Sequence, residues 1–157
     1  MNVMLKPAGS ELVLTRELKA PRERVFAAWT DGAQAASWWM PRDFTLLACE
    51  MDVRPGGLWR HVMRTPDGTD YAMTYVFVEV VKPERISWRS VDASEGGSGH
   101  PSPLNVVTFE EHGGKTKWTL VAHFASVAER DRATKIGFAA TIAEGAERLE
   151  RVARSLT

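Results

Sequence analysis

The last twenty residues carry one long apolar stripe, and everything upstream must be arranged to bury it. Phe138, Ile142, Gly145, Leu149, Val152 and Leu156 recur at spacings of three and four, with Glu144, Glu147, Arg148, Arg151 and Arg154 on the opposite face. That is the pattern of an amphipathic helix of about five turns with a single buried side. Ser126 followed by Glu129 gives the segment ahead of it a capping box. Gly137 stands where a bend would precede the long helix.

Upstream the dominant period is two. Glu11 to Leu18 alternates, with Leu12, Leu14 and Leu18 on one face and Thr15 and Glu17 on the other, as a strand does. The residues before it, Met1 to Gly9, read as a short tail. Pro21 opens a helix in which Val25, Phe26 and Trp29 form the apolar stripe. Thr30-Asp31-Gly32 breaks it, and Ala33 to Trp38 reads as a second short helical turn. Strands then follow one another: Phe44–Val53, ended by Pro55-Gly56-Gly57; Leu58–Arg64, closed by Thr65-Pro66-Asp67-Gly68; Tyr71–Val81; and Arg85–Ser90. Asp92 to Pro103, full of Ser, Gly and Pro, reads as a loop. Leu104–Glu111 and Lys115–Phe124 pair through His112-Gly113-Gly114. The expectation is an α+β chain: a seven-stranded antiparallel sheet, two short helices between its first and second strands, and one long helix at the end. One helix must cover one greasy sheet face, so a curved sheet wrapped around it is the economical solution. A sheet that grips the helix at one end leaves a cavity at the other.

Composition narrows the function classes. Twenty Lys and Arg balance twenty Asp and Glu, so the basic excess of a nucleic-acid binder is missing and no nucleic-acid partner is expected. No run approaches the ~20 apolar residues of a membrane span, and the N-terminus lacks the apolar core of a secretory signal. Cys49 is the single cysteine, which precludes an internal disulfide and fits a reducing, cytoplasmic setting. The unusual feature is six Trp against two Tyr: large rigid apolar surfaces are in demand.

Those tryptophans, with their neighbours, supply the candidate site. Apolar, aromatic walls with a few polar anchors make ligand cavities, but Trp also fills cores. Trp29, inside the first helix stripe, reads as core. Trp38 and Trp39, and Trp59 and Trp88, stand open to both readings, and Trp118 is unassigned. On the third strand Trp59, His61 and Met63 share a face, away from Arg60 and Arg64; on the fourth Tyr71, Met73, Tyr75 and Phe77 do. Most of these would cover the helix, but His61 and Tyr75 put polar tips on apolar faces and require partners. His123 ends a strand, as a cavity residue or a satisfied structural one. Gly145, within the helix stripe, leaves room for a ligand or a close strand approach. No metal and no cofactor is expected, since His61, His100, His112 and His123 are far apart with no Cys partner. There is no Gly-x-Ser-x-Gly elbow and no phosphate loop. Cys49, beside Leu46, Leu47 and Met51, reads as an inert buried thiol. Glu50, Asp52 and Glu79 have no spacing that demands a general acid.

Several segments resemble the START-like superfamily, and within it the branch named after the activator of heat-shock-protein-90 ATPase. They are Ala20 to Asp31 with Trp38-Trp39, then Arg54-Pro55-Gly56-Gly57-Leu58-Trp59-Arg60, Pro66-Asp67-Gly68, and Glu79 to Trp88. Gly137-Phe138 sits where this branch usually has Gly-Trp. The resemblance runs from about Glu11 to Leu156. It implies one START-like domain with a helix-grip fold and a deep apolar cavity between sheet and helix. Relatives in the superfamily bind lipids, sterols, polyketides or aromatic natural products, and a few are cyclases or hydrolases. It does not imply chaperone stimulation, because the eukaryotic activator makes its main chaperone contact through an additional N-terminal domain.

The leading expectation is therefore a module that binds a small apolar or aromatic ligand between sheet and helix, without defined catalysis. Two others stand beside it: a cyclase- or hydrolase-type enzyme using His61, Tyr75 or His123 as acid–base groups, and a protein-interaction, co-chaperone-like module presenting an exposed apolar patch. Ligand identity and oligomeric state have no linear signature.

Overall fold

The computed structural model describes residues 4–31, 43–91, 104–124, 126–135 and 138–155. The chain runs β1 (Met4–Ala8), β2 (Glu11–Leu18), α1 (Arg22–Thr30), β3 (Thr45–Met51), β4 (Leu58–Arg64), β5 (Asp70–Val81) and β6 (Arg85–Ser90). It continues through β7 (Leu104–His112), β8 (Lys115–His123), α2 (Val127–Lys135) and α3 (Phe138–Ser155). The strands form one curved antiparallel sheet in the order β1-β2-β8-β7-β6-β5-β4-β3. The long crossing from β2 to β3 places sequence neighbours at opposite ends of the sheet.

All seven expected strands are present, and the count is corrected to eight. Met4–Ala8, read from sequence as a tail, pairs with β2 from Met4 opposite Thr15 to Ala8 opposite Glu11. Its sequence hides it because Pro7 interrupts the run, and proline is accommodated in a strand at a sheet edge, where no ladder bond needs its N–H. Gly9, at φ 60°, makes the tight turn into β2. The second short helix, the Asp92–Pro103 loop and Gly137 fall outside the described residues. The C-terminal helical region divides into α2 and α3. At the start of α2 the Glu129 N–H donates to Ser126 Oγ at 3.2 Å, satisfying one orphan donor of the first turn.

The helices grip one half of the sheet. Gly145, Ala146, Leu149 and Ala153 are the buried face of α3, which packs on α1, α2 and β2. Beneath it the inner positions of β2, β7 and β8 (Leu12, Leu14, Leu18, Val107, Phe109, Trp118, Leu120, Ala122) are all essentially inaccessible. One inner position is charged. The Arg16 guanidinium lies 3.5 Å from Glu150 and 3.8 Å from Glu147, and the Lys19 N–H donates to Glu150 Oε2 at 2.9 Å. Glu147, which the sequence pattern puts on the solvent face, thus leans back towards the sheet.

An aromatic chain runs through the core. Phe26 meets Phe109 edge-on at 5.4 Å, Trp29 lies 5.4 Å from Trp88 and 6.0 Å from Trp118, and Trp88 lies 5.7 Å from Trp59. Trp59 stacks on Phe77 at 6.0 Å with 7° between planes. Offset and edge-on pairs of this kind each contribute about 0.5–1.5 kcal/mol beyond area burial. Trp29 is core, as its helix position predicts; Trp59, Trp88 and Trp118 are equally buried.

Candidate functional site

The wall beyond that chain is built by β3, β4 and β5, and a glycine turn sets its position. The Gly56 N–H donates to the Phe77 carbonyl at 2.7 Å, and the Phe77 N–H returns a bond to Gly57 O at 2.9 Å. Gly56 has φ 82°, and a Cβ on Gly57 would lie 1.9 Å from the Asp52 carbonyl oxygen. Only glycine lets this turn dock on β5. The docked turn delivers Trp59 to the inner face, and the register then assembles two rows: Met51–Trp59–Tyr75 and, beside it, Cys49–His61–Met73. Met63 opposite Tyr71 continues the surface. Trp59 and His61 are buried, Cys49, Met51, Met63, Met73 and Tyr75 are half-buried, and Tyr71 is half exposed.

The polar groups on this wall are neutral. Burial lowers the His61 pKa to about 4, so its imidazole is uncharged at physiological pH. Burial likewise raises Tyr75 well above the ordinary phenol value. Its hydroxyl donates to Met73 Sδ at 3.9 Å, and its ring lies 5.6 Å from that of His61 and 5.2 Å from Trp59. Burial also pushes the Cys49 thiol up; a hydrogen bond with Trp59 opposes the rise and Glu50 adds to it. At the base of the wall, Asn105 is 7% exposed and sits opposite Trp88 in the β6–β7 register. Such a surface can hydrogen-bond an uncharged group; it is not arranged to move protons near neutrality.

Of the residues singled out from sequence, Trp59, His61, Met73 and Tyr75 come together here. Trp88 is behind them, between the wall and Trp29. Gly145 is buried in α3, and Trp38 and Trp39 lie outside the described residues. His123 does not join the group. Its Nδ1 is 2.6 Å from Glu11 Oε2, both side chains are more than a third exposed, and its strand parity is opposite to the core positions Thr116, Trp118, Leu120 and Ala122. Glu79 is held by Arg85 through bonds of 2.7 and 3.1 Å. Glu50 and Asp52 are exposed, beside a depression of about 500 Å³ around the β3–β4 turn that also includes Arg54 and Arg60. The exposed large apolar residues Leu47, Tyr71, Val78, Val91 and Val127 are spread over β3, β5, the end of β6 and α2. Among the described residues no group of His, Cys, Asp and Glu could hold a metal ion, and no helix is long and apolar enough to cross a membrane.

Sequence reasoning missed Cys49, Met51 and Asn105 as wall residues. The reason for the first two is a bulge between Leu46 and Ala48, which shifts the alternation of β3 so that Leu46 and Cys49, three apart, oppose successive inner positions of β4. The parity of β7, with Asn105 in step with Val107 and Phe109, was the available signal for the third.

A family model described as Activator of Hsp90 ATPase homolog 1-like protein matches residues 19–153. No curated protein matches. Among solved structures, a Nitrosomonas europaea protein is 24% identical with TM-score 0.83, covering 95% of this chain and 97% of its own. A Mycobacterium smegmatis protein is 25% identical with TM-score 0.82, covering 100% and 98%. A Rhodobacter sphaeroides protein reaches TM-score 0.86 at 22% identity, covering 99% and 100%. At these identities the likeness establishes the fold.

Proposed function

The chain belongs to the Activator of Hsp90 ATPase homolog 1-like protein family, and from that premise we propose that it binds a small, flat, apolar or aromatic molecule on the inner wall of β3, β4 and β5. The observation that carries this reading is the pair of rows Met51–Trp59–Tyr75 and Cys49–His61–Met73. They combine polarizable thioethers, an aromatic floor and two polar tips, the ingredients of a small-molecule site. Three of the six methionines, Met51 and Met73 in the rows and Met63 beside them, line this wall, and unbranched side chains repack around differing shapes. Binding without defined catalysis fits better than acid–base turnover, because burial keeps both His61 and Tyr75 neutral and His123 is on the other face.

The test is methyl NMR of the full chain labelled at methionine, titrated with a panel of flat aromatic compounds. A binder should move the Met51, Met63 and Met73 methyl resonances together and saturate. A panel in which no compound moves any of the three would overturn the reading.

A further inference from the structure

We infer that the occupant of this wall is electrically neutral, a flat apolar frame bearing a hydroxyl or carbonyl oxygen, and that the site rejects carboxylates and ammonium ions of the same shape. The inference rests on the ligand-binding reading above and narrows it to a chemical class.

Strand parity sorts the charges. Glu50 and Arg60 are directly opposite one another on β3 and β4, Arg64 is opposite Asp70 and bonded to it at 2.7 Å, and Arg89 is opposite Val76. All of these are out of step with Trp59, His61, Tyr75 and Trp88 and therefore face away from the wall. The described polar side chains that remain in step with it, from β3 through β6 and at Asn105 on β7, are the Cys49 thiol, the His61 imidazole, the Tyr71 and Tyr75 phenols and the Asn105 amide. Glu111, also in step on β7, lies six residues beyond Asn105, opposite Thr116 at the far end of the strand. Desolvation holds Cys49, His61 and Tyr75 in their uncharged forms at neutral pH.

A neutral imidazole offers one donor and one acceptor, and a phenol and an amide offer both. A hydroxyl or carbonyl oxygen placed against the neighbouring His61 and Tyr75 rings, or against Asn105, exchanges water hydrogen bonds for protein ones. A carboxylate or ammonium ion in the same place gives up its hydration against neutral dipoles, with no counter-charge on the described wall, and that loss is not recovered.

Three probes of one shape separate the possibilities: 2-naphthol, 2-naphthoate and 2-naphthylmethylammonium. Each is titrated into the full chain at pH 7 by calorimetry and methionine-methyl NMR. The naphthol should bind at least tenfold more tightly than either ion, and the naphthoate should tighten as pH falls from 7 to 5 and its neutral form grows. Naphthoate or the ammonium ion binding as tightly as naphthol, with the wall methyls shifting, overturns the neutral class while leaving the binding reading intact. Failure of all three to move the wall methyls overturns both. A cation built into the wall should reverse the order. His61→Arg should raise naphthoate affinity relative to naphthol by tenfold or more; Met73→Lys, at a half-buried position, repeats the test if His61→Arg does not fold. A folded variant with the order unchanged overturns the inference.

Discussion

The two halves of the sheet are built from different materials. Under α1 and α3, the inner positions of β2, β7 and β8 are Leu, Val, Phe, Trp and Ala, buried to 2% exposure or less apart from Arg16 and the more polar strand ends. Across β3, β4 and β5 the corresponding positions are Cys49, Met51, Met63, Met73 and Tyr75, all half-buried, over a floor of buried Trp59, His61 and Phe77. The first half is packed by branched and rigid side chains that specify one arrangement. The second is lined by flexible thioethers and neutral polar tips that tolerate several. One sheet thus has a tightly packed half and a half-buried, thioether-lined half, with Trp88 and Trp59 as the continuous link between them.

The largest effect that tests this division is a pair of truncations compared by urea unfolding. Trp118→Ala removes a fully buried indole from the gripped half and should cost about 3–5 kcal/mol. Met73→Ala, at a half-buried wall position, should cost only about 1–2 kcal/mol. Equal losses would break the comparison.

The next effect belongs to His61. Its folded pKa, about 4, lies below the ordinary value of 6.5, so between those values the unfolded chain binds the proton that the folded chain refuses. The contribution is fully present above pH 6.5 and is lost as pH falls towards 4, by about 3 kcal/mol in all. Unfolding free energies across that range should show the decline in the native chain and a flatter profile in His61→Asn. An unchanged slope in the variant would mean that His61 is not the desolvated group.

The smallest effect sharpens what holds the helix. Arg16 and Glu150 are mostly buried, at 11% and 15% exposure, while Glu147 is 44% exposed. Replacing the whole group, Arg16→Met with Glu147→Gln and Glu150→Gln, leaves no buried charge unpaired and should change stability by no more than about 1 kcal/mol. A loss of about 3 kcal/mol or more would show that charge, and not the apolar face of α3, anchors it.

Much of this architecture is written in local pattern. The period-two runs, the Pro-Gly-Gly and Pro-Asp-Gly turns, the Gly-Gly hairpin and the stripe of α3 each depend on neighbours within a few residues, and each could be read. Met4–Ala8 escaped because a proline-bearing edge strand is stabilised by its partner β2 and not by its own alternation. Parity along β4 correctly put Trp59 and His61 on one face, since no bulge interrupts that strand. On β3 the bulge between Leu46 and Ala48 breaks the alternation, so parity alone does not set Cys49 and Met51 beside His61 and Trp59.

What the sequence determined by itself is the order of seven of the eight strands, the antiparallel sheet with one long helix to cover it, and the family. Which Trp are core, and which polar groups meet, was decided by tertiary structure. Cys49, His61 and Met73 are twelve residues apart in turn, so their meeting is a consequence of strand register. His123 needed the same information to be set aside, because its partner Glu11 arrives from the far end of the chain. Charge balance in the sequence said only that the whole chain is neutral. The pleat of the sheet separated that balance into a charged outer face and an uncharged inner wall, and that separation is what gives the wall its chemistry.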